Sequence, residues 1–244
     1  PDSVSFEAPP KSYRRQVLKY KSYEQTPVDL KIEMVADDKA GEDCSAVPWL
    51  RTAPDRVNLG PGQSRNVALV LQVPEDARGE RYAKVVTEGS LEDEEPTRWE
   101  TPLVVTIPGT LEAKAEITDM KMLEPPTDSD VYAAKVGFRN VGNARLALSG
   151  TLRIMTREKF DEVASIPFGG EAYPGQETIM EVPISLALAT GPYVASATII
   201  GMTSDQKIST KQRRTIEFAL EQALAPPEGH IEEIQEQGGT ENEI

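Results

Sequence analysis

Apolar and polar residues alternate along several stretches of the chain, which is the pattern of half-buried β-strands. Residues 28–34 read VDLKIEM, with an apolar residue at every even position and a charged residue at positions 29, 31 and 33. The same period of two recurs at 67–73, 111–117 and 180–186. Helical spacing is confined to 217–224, which either continues the last strand or forms one or two turns of helix before Pro226. The chain is therefore predicted to be all-β.

Turn-forming residues separate these strands at the spacing of a β-sandwich, and they repeat once. The sequence LGPGQS at 59–64 precedes an apolar run that leads to Tyr82, and AYPGQE at 172–177 leads in the same way to Tyr193. The two tyrosines are 111 residues apart, which is the length of one domain. We predict two tandem immunoglobulin-like β-sandwich domains, at 1–108 and 109–222, with a cleft between them.

Charge is distributed unevenly along the 244 residues. The formal net charge is -14, and residues 215–244 hold eight Glu and no Lys or Arg. Residues 223–244 have too little apolar content to offset the entropy of ordering them, so we predict a disordered acidic tail. Such a tail either keeps the protein in solution or recruits a partner. No stretch approaches the roughly 20 apolar residues of a transmembrane helix.

The residues needed for most enzyme chemistry are scarce. The chain has one Cys and one His, which excludes a disulfide scaffold and a structural zinc module. His230 lies in the predicted tail, and the acidic residues around Cys44 are expected to raise the pKa of its thiol. A nucleophile elbow and a phosphate-binding Gly loop are both missing from the sequence. We predict a non-enzymatic protein with no catalytic residues and no cofactor.

Clusters of acidic residues are candidate calcium-binding sites. Carboxylates group at 37–43, 92–95 and 128–130, and carboxylate oxygens are the ligands that Ca²⁺ prefers. None of these groups has the spacing of an EF-hand loop. They are interpreted as solvated hairpin tips, and no metal ligand is assigned, although calcium binding by these loops stays open.

Positive charge and aromatic side chains interleave in one place, at 11–23. Stacking combined with phosphate contacts is typical of single-stranded nucleic-acid binding. The overall negative charge argues against a nucleic-acid partner, and an outward strand face with Lys19 and Lys21 explains the run equally well. An acidic protein surface, or the acidic end of this chain, is a better match for these cations.

Motifs in both halves resemble those of a known family. The first half contains WLRTAP at 49–54, VNLGPGQS at 57–64 and VVTIPG at 104–109, and the second contains FRNVGN at 138–143 and YPGQ at 173–176. In this order, over about residues 4–220, the chain resembles the periplasmic pilus chaperones. These are the PapD-like group of tandem immunoglobulin-like domains, together with related bacterial extracytoplasmic proteins.

This resemblance implies an extracytoplasmic chaperone-like or assembly protein that binds partner polypeptides by adding a strand to a sheet edge. Its location would require a signal peptide preceding Pro1. In the family, the last strand of the first domain binds the client. The matching residues here are Leu103, Val105 and Ile107, which are alternatively core residues of the first sandwich.

The family also holds the terminal carboxylate of its client with two basic residues in the interdomain cleft. Arg14 or Arg15 is the candidate for the first of these anchors. The strand at 98–107 has no clear match for the second, since it offers only Arg98 at its start. A structural or adhesive spacer at the cell surface is therefore the alternative function, and a carbohydrate-binding module or an unrecognised enzyme are lesser ones.

Overall fold

The computed structural model describes residues 2–91, 95–123, 132–184, 188–206 and 209–220. Within these ranges the only helices are two single 3-10 turns, at Glu42–Cys44 and Val47–Trp49, and all other regular structure is β-strand. The predicted all-β class is confirmed. No helix of this part of the chain has the length and hydropathy to cross a bilayer. The acidic tail predicted at 223–244 lies outside the described residues.

Eight strands form the first sandwich. In chain order they are β1 (Val4–Glu7), β2 (Tyr13–Lys21), β3 (Val28–Val35), β4 (Leu50–Ala53), β5 (Arg56–Leu59), β6 (Ser64–Gln72), β7 (Glu80–Ser90) and β8 (Thr97–Thr106). One sheet has the order β1-β8-β7-β3-β5 and the other the order β2-β6-β4. The strand β1 runs parallel to β8, whereas the other neighbouring strands are antiparallel.

The alternation seen in the sequence places one face of each strand in the core of this sandwich. Val67, Leu69 and Leu71 of β6 are fully buried, and Leu30 and Ile32 of β3 face them from the other sheet. Burying one such aliphatic side chain stabilises the fold by about 1.5–3 kcal/mol. The core of the first sandwich is formed entirely by residues from Val4 to Ile107.

Seven strands form the second sandwich. They are β9 (Ala115–Leu123), β10 (Tyr132–Asn140), β11 (Leu146–Thr156), β12 (Glu162–Ala172), β13 (Glu177–Ile184), β14 (Gly191–Thr203) and β15 (Ser209–Leu220). One sheet has the order β13-β10-β9 and the other the order β12-β11-β14-β15. Between them lies a separate core that includes Val136, Phe138, Leu152, Ile154 and Ile199, all fully buried.

For two stretches of the chain, the observed strand bounds refine what the sequence pattern predicted. The strand predicted at 111–117 begins only at Ala115, because the backbone of Glu112 and Lys114 is bonded to the turn at 141–143 instead of to a neighbouring strand. The ambiguous stretch at 217–224 continues the last strand as far as Leu220. The remainder of that stretch lies outside the described residues.

Candidate partner-binding site

The three residues matched to the client-binding strand lie inside the first sandwich. Leu103, Val105 and Ile107 are each 0% exposed and belong to its core. Their alternation therefore marks the inward face of β8, as the alternative interpretation of the sequence held. A partner cannot contact these side chains while the core is intact.

The backbone of the same segment is also occupied. The strand β1 pairs with β8 in parallel, with Val4 opposite Leu103 and Glu7 opposite Thr106. On its other side β8 pairs with β7 along its length. The second half of β8 is thus a central strand, and the expectation that it forms a sheet edge holds only if β1 leaves.

The first half of β8, unlike the second, has an unpaired edge. From Thr97 to Pro102 it pairs with β7 on one side, and no described strand pairs with the other side. Across the sandwich, β2 is the outermost strand of its sheet and pairs only with β6 among the described strands. Two unpaired backbone edges, one from each sheet, therefore border the same side of the first domain.

An apolar groove of about 570 Å³ opens between these two edges. Leu18, Leu30 and Val85 are buried residues that line it. Tyr20 crosses from one sheet to the other, where its hydroxyl forms a 3.0 Å hydrogen bond with the hydroxyl of Thr87. The groove thus has an apolar lining with one hydroxyl pair at which the two sheets meet.

Aromatic side chains stand at the rim of this groove. Trp99 of β8 is 52% exposed and Tyr23, just after β2, is 82% exposed. The ammonium group of Lys21 lies 4.6 Å from the centre of the Tyr23 ring, in cation–π geometry. Sequence reasoning missed Trp99, although it occupies the same side of β8 as Leu103 and is a large apolar residue beyond the end of the alternating run.

A second concavity, of about 740 Å³, separates the two sandwiches. Its lining includes β1, the end of β8 and the second-domain residues Arg145, Glu171 and Tyr173. The cations that line it are Lys39 and Arg145. Arg145 lies 3.5 Å from a carboxylate oxygen of Glu171 and 5.9 Å from the centre of the Tyr173 ring.

Neither arginine proposed as a cleft anchor lines this space. Arg14 and Arg15 are exposed residues of β2, and the guanidinium group of Arg14 donates a hydrogen bond to the carbonyl oxygen of Tyr13. They belong to the β2-β6-β4 sheet, whereas the cleft is lined by β1 and β8 of the other sheet. The anchor assignment from the sequence therefore does not fit the geometry, and any carboxylate held in the cleft would meet Lys39 and Arg145.

Hydrogen bonds join the two domains at the floor of the cleft. The carboxylate of Glu80 accepts the backbone N–H of Arg145 at 2.8 Å and the hydroxyl of Ser204 at 2.5 Å. The hydroxyl of Tyr82 donates to the same carboxylate. Burial, reinforced by the negative charge of Glu80, raises the pKa of the Tyr82 hydroxyl well above its usual range.

Cys44 lies beside this joint and is half buried. Its Sγ is 3.9 Å from the carbonyl oxygen of Pro174 in the second domain. Burial raises the pKa of its thiol, and Asp43 raises it further, while Arg81 acts in the opposite direction. The pKa thus shifts in the direction expected from the sequence, which is opposite to that of an activated nucleophile.

The acidic clusters considered for calcium do not assemble into a site within the described ranges. No group of three or more Asp, Glu, His or Cys side chains there is placed to hold a metal ion. Asp38 instead pairs with Lys84 at 2.5 Å. Residues 92–94 and 128–130 lie outside the described part of the chain.

Comparisons by family model and with curated proteins found no match. Among solved structures, the chain is similar to the YadV chaperone, at 10% identity and a TM-score of 0.47, over 88% of this chain and 96% of that one. It is also similar to the class 5 fimbriae chaperone CfaA, at 13% identity and a TM-score of 0.47, over 89% and 96%. A third is the SafB chaperone in complex with the SafA pilin of Salmonella enterica, at 12% identity and a TM-score of 0.44, over 90% and 93%.

The first of these neighbours is a chaperone, the second a chaperone of class 5 fimbriae, and the third a chaperone bound to a pilin. Their identities and TM-scores are low, and all three TM-scores are below 0.5. The two-sandwich architecture of this chain therefore rests on its own strand pairing and its two separate cores.

Proposed function

We propose that this chain is a non-enzymatic, extracytoplasmic chaperone-like protein that binds a partner polypeptide in extended form at the groove of the first domain. The observation that carries the proposal is the position of two unpaired strand edges on either side of one apolar groove. The location outside the cytoplasm follows from the sequence resemblance and belongs to the same proposal.

An extended polypeptide can make both kinds of contact that this site offers, backbone hydrogen bonds and apolar side-chain contacts. Its backbone N–H and C=O groups can complete the ladder along Thr97–Pro102, where β8 lacks a second neighbour. Alternate side chains of the same strand then point into the groove, against Leu18, Leu30 and Val85. A small rigid ligand would fill the groove and leave the strand edges unpaired.

The segment matched to the family's client-binding strand enters in a second step. We propose that a longer partner displaces β1 and continues the ladder along the backbone of residues 103–106, which β1 occupies. The pairing it replaces is only four residues long, Val4–Glu7. Val4 and Phe6 are buried, so an incoming strand must supply apolar side chains in their place.

The interdomain cleft is the proposed end of this binding track. It lies beside β1 and the end of β8, so a strand that leaves the groove along β8 runs toward it. Lys39 and Arg145 give it positive charge for a carboxylate of the partner. The nearby Glu80 and Glu171 carboxylates make this second contact weaker than an isolated pair of cations would provide.

The proposal is tested with fluorescein-labelled peptides of ten residues in which Val or Phe alternates with Thr. A peptide of the same composition with its apolar residues in one block is the sequence control. We expect the alternating peptide to bind, and Trp99→Glu to weaken it at least tenfold because a carboxylate then stands at the groove rim. Ile179→Glu, at an apolar residue of β13 that is 54% exposed, is the matched variant and should bind normally.

Fluorescence anisotropy measures both variants, and circular dichroism confirms that each remains folded. Equal affinity for the alternating and blocked peptides would contradict strand addition. Unchanged binding by Trp99→Glu would place the peptide elsewhere on the molecule. Absence of binding to any peptide would favour the alternative of a structural spacer.

A further inference from the structure

The three-stranded sheet of the first domain has a net positive charge, whereas the rest of the chain is net negative. Its strands β2, β6 and β4 hold six basic residues and no Asp or Glu: Arg14, Arg15, Lys19, Lys21, Arg51 and Arg65. The whole chain has 40 acidic and 26 basic residues, so this sheet is a basic surface on an acidic protein. The proposed groove uses the inner side of this sheet and leaves its outer face unexplained.

Strand register places several of these cations together on the outer face. Arg15 and Arg51 both lie opposite Val70, one on each side of it, and Lys19 lies opposite Asn66. Between them Val17 is 51% exposed, next to Ala68 in the register. The outer face is thus a shallow apolar strip with cations along its sides.

These cations have no anionic partner in the described structure. Within 4 Å, no carboxylate of the described residues reaches Arg15, Lys19, Lys21 or Arg51, whereas twelve ion pairs form elsewhere in the same ranges. Arg15 and Arg51 lie two strands apart on the same face, and their like charges repel each other at low salt. A negatively charged ligand on this face would relieve that repulsion.

We propose that the outer face of the β2-β6-β4 sheet binds the acidic C-terminal segment, residues 221–244, of a second copy of this chain. That segment contains seven Glu and no Lys or Arg. It also contains Ile231 and Ile234, which match the apolar strip around Val17. The segment therefore complements this face in both charge and apolar character.

Distance is the reason for assigning the segment to a second copy. Leu220 pairs with Gly191, at the end of β14 far from the first domain, whereas Ser204, just after β14, contacts Glu80. The length of β14 puts Leu220 about 40 Å from the domain joint, at about 3.3 Å per residue. A flexible chain of 24 residues has an end-to-end distance of about 27 Å. The span from Leu220 to the joint alone exceeds this distance, and the basic face lies beyond the joint, which favours a second copy over binding within one molecule.

Zero-length carbodiimide crosslinking of the full chain tests this proposal directly, because it joins an amine to a carboxylate that it contacts. The experiment uses an equal mixture of ¹⁵N-labelled and unlabelled protein in low salt, followed by mass spectrometry of crosslinked peptides. We expect crosslinks from Lys19 or Lys21 to glutamates of 221–244 that combine one labelled and one unlabelled peptide. At about 0.5 M salt their yield should fall at least fivefold, since screening weakens exposed charge pairs.

Charge-reversal variants test whether the acidic segment binds this face specifically or is attracted to positive charge anywhere on the protein. The double variant Arg15→Glu/Arg51→Glu should lower the yield at least tenfold, while it leaves both reporter lysines in place. The matched control is Lys121→Glu/Lys159→Glu, at exposed positions of the second domain, which should leave the yield unchanged. Crosslinks in the control confirm that a change of net charge alone does not abolish the contact.

Other distributions would overturn the proposal. Crosslinks spread evenly over Lys39, Lys121 and Lys159 would show that the segment has no preferred face. Crosslinks made only of peptides with the same label would place the contact within one molecule. Sedimentation with phosphatidylglycerol vesicles that depends on Arg15 and Arg51, without Lys19 or Lys21 crosslinks to the segment, would assign the face to an anionic lipid surface.

Discussion

The backbone N–H of Arg145 in the second sandwich donates a hydrogen bond to Oε2 of Glu80 in the first sandwich, over 2.8 Å. Glu80 is 1% exposed, and it also accepts the hydroxyls of Tyr82 and Ser204. A buried carboxylate is tolerated because these donors replace the water it has lost. Together with the backbone hydrogen bond from the N–H of Glu80 to the oxygen of Asn143, this side chain ties the two domains together beside the cleft.

Removal of the Glu80 carboxylate is expected to weaken the joint. In Glu80→Ala the three donors lose their common acceptor, and we expect the free energy of unfolding to fall by about 3 kcal/mol. Glu80→Gln keeps one carbonyl oxygen for Arg145 and Tyr82, and should lose about 1 kcal/mol. Urea unfolding followed by circular dichroism measures both changes.

The control for this pair is Glu75→Ala, which removes an exposed carboxylate of the same domain. It should change the free energy of unfolding by less than about 0.5 kcal/mol. A Glu80→Ala protein as stable as the Glu75→Ala protein would show that the buried carboxylate does not hold the domains together.

Gly79, directly before Glu80, is predicted to tolerate no side chain. Its φ is +71°, and an added Cβ would lie 2.3 Å from the backbone oxygen of Asn143 in the other domain. Gly109 has a similar φ of +75° but open space around it, so Gly109→Ala measures the backbone strain alone, about 1–2 kcal/mol. We expect Gly79→Ala to lose at least about 2 kcal/mol more, from the clash. If both variants lose the same free energy of unfolding, the domains can move apart to admit the new Cβ at Gly79 without a cost in stability.

Stability is expected to decrease at alkaline pH because of Tyr82. Burial keeps its hydroxyl protonated in the folded protein, whereas in the unfolded chain it ionises near pH 10. The unfolded state then binds fewer protons, so stability is complete below pH 10 and falls by about 1.4 kcal/mol per pH unit above it. Tyr82→Phe should flatten this slope between pH 10 and 11, while Tyr23→Phe, at an exposed tyrosine, should retain it. The same slope in both variants would exclude Tyr82 as its source.

Cys44 is predicted to report on the opening of the cleft. Its thiol is half buried against Pro174 and its pKa is raised, so it should react slowly with a disulfide reagent at pH 7.5. In Glu80→Ala, where the domains are less tightly held, we expect the reaction to be at least fivefold faster. In Glu75→Ala the rate should be unchanged. The absorbance of the released thiolate measures the rate, and equal rates in all three proteins would argue against a looser joint.

Much of the fold was predictable from the sequence because alternation depends on local geometry. In β3, β6 and β13 the apolar positions that the sequence shows are the ones buried in the cores. The FRNVGN motif at 138–143 was visible in the sequence, but the role of its two asparagines was not. Asn140 is fully buried and donates to the carbonyl oxygens of Ala144 and Ala172, and Asn143 holds the segment at 110–112 that leads into the second domain.

The candidate site was less predictable, because it depends on neighbours that are distant in sequence. The alternation of Leu103, Val105 and Ile107 is expected both for a partner-binding strand and for a core strand. The sequence pattern therefore could not show that these residues are buried in the core. Trp99 lies on an open strand edge beside the groove only because β1 stops short of it. Arg14 and Arg15 were assigned to the cleft by analogy, and the register of β2 with β6 places them on the other sheet.

The sequence by itself determined the all-β class, the two similar halves and the inward face of most strands, since side chains of a strand alternate whatever its partner is. It also determined the scarcity of His and Cys and the concentration of Glu at the C-terminal end. Only the tertiary structure decided which strand edges are paired and which are open. That distinction is set by backbone hydrogen bonds between distant segments, and the backbone groups are the same for every residue except proline.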